Sequence, residues 1–541
     1  MTLTNNLPSN SRKLPSSVLT KKNSNENPFS EIKALGEGSF GAVFSAVIND
    51  HPKNQELLNL LKPGQKVAIK CNLRDKKGNR SITSISEMHM LRMVQGHPFC
   101  SQVYEFCLQY IPGIHSTDKL YDQISYISKL GTFDAKKYIT RVDHKPIRAK
   151  KLFAVHLMLA VEFIHALGIT HRDIKPQNII VHTKQGVEYE SLQLADFGLA
   201  CYLSNQAEIY NHMTVTLSYR APEIVLRKVY TNKLDIWSCG CVLIELFCKR
   251  GVPFTFSNSE SDHLDNCFSK IAFSEADYEL ANRLFPGKLM NKTKFRNYQK
   301  DANNFSKILE LNEAEQASFG TKKGTYLEFI DLLGKMMSSE PKTRFSASEC
   351  LNHPFFEEFR SMINKYRAKF SIDQFGQRVI RTVSVRIPRN RLSENRARYQ
   401  NNGYIILKNI YRLKYNYPNS IWYDHRTFCQ GIQLFDRLII SRDFEKISTK
   451  YPLVNVIRSI LIIAFKFFEI GDISSFLTGF LAKVPKDQTN KILQEIFRIE
   501  KDLIKIFDHL IYTKSFYEEH IEIYGPDEES IDKLITERLR N

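Results

Sequence analysis

The sequence predicts a two-lobed α+β unit with a cleft between its lobes, followed by an all-α helical bundle. Three patterns carry this reading. From Phe29 the chain runs in short Val- and Ile-rich stretches broken by glycine, which favours antiparallel strands. From about Pro146 apolar residues recur at helical spacing, as in Lys150-Lys-Leu-Phe-Ala-Val-His-Leu-Met-Leu-Ala-Val-Glu-Phe-Ile164. Strands first and helices afterwards argue for segregated α and β layers rather than alternating βα units. From Asn402 to Tyr517 the pattern is helical alone, with apolar periods at Ile405–Leu413, Phe428–Ile440, Val454–Phe468 and Ile492–Leu510.

The domain limits follow from composition. Residues 1–28 are rich in Asn, Ser, Lys, Pro and Thr and cannot offset their own ordering entropy, so a disordered tail is expected there. The α+β unit occupies 29–356, with an inserted surface loop at Asn49–Gln65 and a strand at Ser125–Leu130 entering the connection between lobes. A basic linker over 357–401 comes next, then the helical unit at 402–520 and a tail at 521–541. Of the 541 residues, 76 are Lys or Arg and 58 are Asp or Glu, a net charge of +18. Residues 360–398 hold eleven of those cations and two acids, which is +9, half of the total. Such a segment could steer acidic substrates, clamp the flanking domains or contact nucleic acid. Ten cysteines without a CxxC pair argue against a disulfide framework or a zinc site and favour a reducing, intracellular compartment, cytoplasm or nucleus. The most apolar stretch, Leu453–Ile470, carries Arg458 and Lys466, so no membrane span is expected.

The chemistry-bearing residues come in a fixed order. Leu35, Gly36, Glu37, Gly38, Ser39, Phe40, Gly41, Ala42 and Val43 form G-x-G-x-x-G-x-V, where absent Cβ atoms let backbone N–H groups approach phosphate oxygens. Val67-Ala-Ile-Lys70 alternates so that Ala68 and Lys70 share a strand face beneath that loop. Glu87, on a helix expected over Ile82–Met93, is the candidate partner of Lys70, and the pair would hold nucleotide phosphates. His171-Arg-Asp-Ile-Lys-Pro-Gln-Asn178 then supplies Asp173 as the carboxylate that orients an attacking hydroxyl and Lys175 to stabilise charge on the transferring group. Asn178, with Asp196 of Asp196-Phe-Gly198, offers oxygen ligands for Mg²⁺.

Closed by Ala221-Pro-Glu223, this ordered set resembles the protein kinases. The resemblance implies the bilobal protein-kinase fold, ATP and Mg²⁺ as cofactors and protein substrates. It implies Arg344 as the buried partner of Glu223 and Asp235 as an anchor beneath the catalytic loop. Lys175, two positions after Asp173, is similar to the serine/threonine class. Thr216-Leu-Ser-Tyr-Arg-Ala-Pro-Glu223 and Leu351-Asn-His-Pro-Phe-Phe356 resemble the cyclin-dependent and MAP-type kinases, which adds Thr216 to the catalytic set and gives Arg220 a part in a pocket for proline. Ser81-Ile-Thr-Ser-Ile-Ser-Glu87 resembles the helix that cyclins grip. Alignment with that family puts Asn211 at the activating phosphothreonine. Ser86 and Cys201 stand at two of the three arginines that clamp it, leaving Arg172. Activity without that phosphate is therefore expected.

The helical unit resembles a cyclin box in three places: Thr427–Arg437, Val456–Ile470 and Ile499–Phe507. The resemblance implies that Lys466 and Glu500 bond backbone groups beside the helix of Glu87, in place of a separate cyclin; the plainer reading is a salt bridge inside the bundle. The whole is similar to the kinase–cyclin fusions of giant DNA viruses. The alternative is the same kinase with the helical unit as an adaptor or nucleic-acid-binding scaffold that does not activate it.

Overall fold

A computed structural model describes residues 28–37, 41–51, 55–73, 82–107, 121–140, 146–184, 187–202, 216–248, 259–322, 324–370, 402, 406–407, 425–441, 443–468 and 486–506. The N-terminal lobe is an antiparallel sheet of β1 (Phe29–Glu37), β2 (Gly41–Ile48), β3 (Lys66–Leu73), β4 (Val103–Cys107) and β5 (Tyr121–Lys129), in the order β1-β2-β3-β5-β4. One face buries Phe44, Ala46, Val67, Ile69 and Ile127. The Asn49–Gln65 stretch is more than the surface loop expected. It contains α1 (Gln55–Leu58), and Leu57 and Leu61 are buried in the same core, so an apolar pair turns the insertion into a cap on the sheet. The strand entering the interlobe connection starts at Tyr121, four residues earlier than Ser125. Helix α2 (Ile82–Met93) coincides with its expected limits.

Beyond the short β6 (Phe133–Asp134) and α3 (Ala135–Thr140) stands α4 (Ile147–Ala166), whose core-facing residues include Phe153, Leu157, Met158, Val161 and Ile164. Strands β7 (Ile169–Thr170), β8 (Ile179–Lys184), β9 (Val187–Leu194) and β10 (Cys201–Tyr202) carry the cleft floor, with β10 paired to β7 and β6-β8-β9 forming a small sheet. The C-terminal lobe continues through α5 (Pro222–Val225), α6 (Lys233–Phe247), α7 (Glu260–Phe268), α8 (Glu275–Leu284), α9 (Lys292–Gln299), α10 (Phe305–Leu309), α11 (Glu313–Ala317), α12 (Tyr326–Met336) and α13 (Ala347–Asn352). Local capping sets many of these starts: Ser259, Ser274, Asn291, Thr325 and Ser346 each accept a backbone N–H of the first turn. Helix α6 is buried on all sides and forms the lobe's axis.

The stretch expected as a linker from residue 357 opens in regular structure. Arg360–Lys369 is a helix, α14, docked on the C-terminal lobe by buried Phe359 and Ile363. Arg367 makes two hydrogen bonds to Glu162 at 2.6 and 2.9 Å, and Arg360 bonds the carbonyls of Leu351 and Asn352. Two of the eleven linker cations are thus engaged within the fold.

The C-terminal unit contributes α15 (His425–Ile440), α16 (Phe444–Lys450), α17 (Leu453–Phe468) and α18 (Lys486–Ile506). Helix α17 is its centre: Val456, Ile457, Ile460, Leu461, Ile462, Ile463 and Ala464 are all buried, as an all-round apolar helix must be. A Cβ on Gly431 would stand 2.4 Å from a Leu461 methyl, so glycine allows α15 to approach α17 closely. Ser459 donates to the Ile496 carbonyl across the α17–α18 seam. Of the period expected at Ile405–Leu413, only Ile406 and Leu407 are described, and Leu407 joins the core. Among the described residues no single helix is long and apolar enough to cross a membrane. The unit's apolar core also takes in Met88 of α2.

Three buried histidines give the fold a pH dependence. Burial holds His97 and His156 down to a pKa of about 3 and His263 to about 4, from 6.5. Between those values and 6.5 the unfolded chain binds more protons, so stability falls as pH drops. The expected loss is roughly 2 kcal/mol per histidine by pH 5. Urea unfolding followed from pH 7 to pH 5 checks this, and His97→Phe should flatten the slope; a pH-independent midpoint would contradict it.

Candidate active site

The cleft is organised by one ion cluster, in which Lys70 and Glu87 are buried and Asp196 is partly exposed. Lys70, on β3, donates to Glu87 of α2 at 2.6 Å and to Asp196 at 2.7 Å. Tyr126, opposite Lys70 in the β3–β5 register, donates its hydroxyl to the same Glu87 oxygen at 3.1 Å. Burial disfavours the Lys70 ammonium, yet Asp196 and Glu87 outweigh it and hold its pKa well above the ordinary lysine value. Burial likewise opposes the Asp196 carboxylate, and Lys70 outweighs it, keeping that pKa below the usual aspartate value. Asp196 sits at φ 62°, a left-handed backbone conformation that is rare for a residue with a side chain.

Below the cluster lies a hydrogen-bonded loop. Asp173 accepts from Lys175 at 2.7 Å and from the Asn178 amide at 2.9 Å on one oxygen, and from the Thr216 hydroxyl at 2.8 Å on the other. Lys175 also donates to the Thr216 oxygen at 2.9 Å, so Asp173, Lys175 and Thr216 form a closed triangle. Asp235, fully buried at the start of α6, accepts the backbone N–H groups of His171 and Arg172 at 2.8 and 2.9 Å. That carboxylate holds Arg172 at φ 64°, which explains how the loop keeps a strained turn. Burial lowers the His171 pKa despite Asp235 and Asp173. A neutral ring suits its bonds: Nδ1 accepts the Asp173 N–H, and Nε2 lies 3.0 Å from the Ala195 carbonyl. Arg344 and Glu223 form a doubly hydrogen-bonded pair at 2.6 and 2.9 Å with no exposed side-chain surface, placed as the sequence suggests.

The structure therefore brings Lys70, Glu87, Asp173, Lys175, Asn178, Asp196 and Thr216 to one cleft. In the glycine-rich loop, Leu35 is exposed on β1, and Gly36 and Glu37 end that strand. Ala42 and Val43 lie on β2, where Val43 pairs with Lys70, and Ala68 pairs with Ser45. A Cβ on Gly41 would fall 2.7 Å from the Cys71 carbonyl, so β2 passes too close to β3 there for any side chain. Gly38, Ser39, Phe40 and Asn211 lie outside the described residues, as does the side chain of Lys466. Glu500 is fully buried on α18. The sequence reading missed Tyr126, which the β3–β5 register brings opposite Lys70.

A comparison with models of known families matches residues 29–356 to the protein kinase domain. The chain belongs to the protein kinase family. ATP use follows from that membership, and the oxygen donors of Asp196 and Asn178 are the hard ligands a magnesium ion takes.

Glu87→Gln leaves a buried ammonium with one carboxylate fewer and is expected to lower kcat/KM for ATP roughly 100-fold. Tyr126→Phe removes a single hydrogen bond and should cost about tenfold. Steady-state kinetics with a generic peptide would read both, and equal activity of Glu87→Gln and the parent would rule out the assigned pairing.

Proposed function

We propose that the chain is a serine/threonine protein kinase of cyclin-dependent type whose C-terminal helical unit acts as its resident activator. The observation that carries this is the position of Met88. It follows Glu87 on α2, is buried, and belongs to the same apolar core as Ile460, Ile463 and Ile499 of the helical unit. Burying such a side chain contributes about 2 kcal/mol and fixes the rotation of α2 about its axis. Fixing that rotation keeps Glu87 turned toward Lys70.

In this reading Asp173 accepts the hydrogen bond of the attacking serine or threonine hydroxyl, and Lys175 and Thr216 hold that carboxylate in place. Lys70 binds the nucleotide phosphates. Asn178 and Asp196 would hold Mg²⁺, which neutralises triphosphate charge when bound. The serine/threonine assignment is supported by Lys175, which reaches both Asp173 and Thr216. The proline preference rests on the resemblance of Thr216–Glu223, within which Arg220 is fixed by Glu260 at 2.6 Å. Because both parts share one chain, the interface acts at an effective concentration on the order of millimolar, so it needs little intrinsic affinity.

Met88→Glu in the full chain puts a charge into the shared core. It should lower kcat for a Ser-Pro peptide at least tenfold while the melting transition of the C-terminal lobe persists. A chain ending at Phe370, which keeps α14 docked, should be similarly weak and should regain activity when residues 402–541 are added in trans. Parent-level activity of Met88→Glu would refute activation in cis.

A further inference from the structure

Three consecutive residues of α2 make contacts in three directions. An α-helix turns about 100° per residue, so Glu87, Met88 and His89 point to well-separated sides. All three are buried. Glu87 meets Lys70, Met88 enters the helical unit, and His89 faces the start of the segment that follows Asp196. There its Nε2 and the Tyr202 hydroxyl share a hydrogen bond of 3.0 Å, and the two rings meet edge to face with centroids 5.9 Å apart.

Tyr202 is fixed from its other side as well. It belongs to β10, whose two residues pair with β7 in the register Cys201↔Thr170 and Tyr202↔Ile169. Strand β7 runs directly into His171, Arg172 and Asp173. The Tyr202 ring also lies over Gly168, where an added Cβ would sit 3.7 Å from Cδ1. The His89–Tyr202 hydrogen bond therefore joins α2 to the ladder that carries the catalytic loop. Arg172, at the head of that loop, donates to the Leu199 carbonyl at 2.7 Å, in the turn that precedes β10.

Resting on the kinase reading above, we propose that His89 and Tyr202 are positioning residues. Their contact is a latch that holds α2 against the start of the activation segment and keeps the Lys70–Glu87–Asp196 cluster assembled without any phosphate. The latch acts through α2 and the β10–β7 ladder and touches no substrate.

The test uses the full-length chain, treated with phosphatase and confirmed phosphate-free by intact mass. Tyr202→Phe keeps the ring and removes the hydroxyl. It is expected to lower kcat roughly tenfold with KM for ATP changed less than about threefold, because fewer molecules have the cluster assembled. His89→Leu should match it, and the double variant should be no worse than either single one, since both remove the same contact. His89→Gln keeps a side-chain partner for the hydroxyl and should retain most of the parent kcat. Parent-level kcat for Tyr202→Phe overturns the latch. So does an equal loss in His89→Gln accompanied by the same fall in melting temperature, which would mark the site as packing only. A parent that is inactive until phosphorylated overturns the latch and leaves the kinase reading standing. A parent inactive in both states overturns both.

Discussion

The structure depends on one electrostatic constraint: an ammonium buried between two carboxylates that come from different parts of the chain. Lys70 belongs to a strand, Glu87 to a helix and Asp196 to a turn 126 residues further on than Lys70. Each charge alone would be costly to remove from water, and the attraction repays that cost only when all three meet with short hydrogen bonds. The cleft is therefore cooperative. Any element that lets α2 rotate separates Glu87 from Lys70 and leaves an uncompensated charge, and any element that fixes α2 stabilises the whole site.

Much of the rest can be understood as ways of fixing α2 and the loop beneath it. The β3–β5 register places Tyr126 against Glu87 from above. The helical unit encloses Met88 from the side. Below, Asp235 ties two backbone N–H groups of the catalytic loop to the most buried helix of the lobe. The Arg344–Glu223 pair, with Arg344 also 5.3 Å from the Trp237 ring centre, fixes the far end of the segment after Thr216 to the same helix.

The candidate site residues are legible in the sequence because phosphate chemistry restricts residue type and spacing at once. Asp173, Lys175 and Asn178 lie within six positions, and their geometry is set by one turn of backbone. The limits of α2 were legible for the same local reason. Contacts between distant residues left no such trace. Glu87 meets Tyr126 across 39 positions and His89 meets Tyr202 across 113, and neither pair has a periodicity to betray it. Helix α14 has no helical signature in the sequence because its surface is mostly Lys, Arg and Asn, with Ile363 its only fully buried residue. A single anchor gives no repeat to detect. Leu57 and Leu61 were hidden likewise, in an insertion whose polar neighbours dominate its composition.

The sharing of Met88 between two folded parts has a consequence for how the molecule is made. Helix α2 leaves the ribosome early, while the last helix of the core that covers Met88 ends at Ile506. At about 5–20 residues per second, the intervening stretch of roughly 400 residues takes some 20–80 s to synthesise. Throughout that interval the core that encloses Met88 is incomplete. Translation itself thus sets a delay between the synthesis of α2 and completion of the core that encloses Met88.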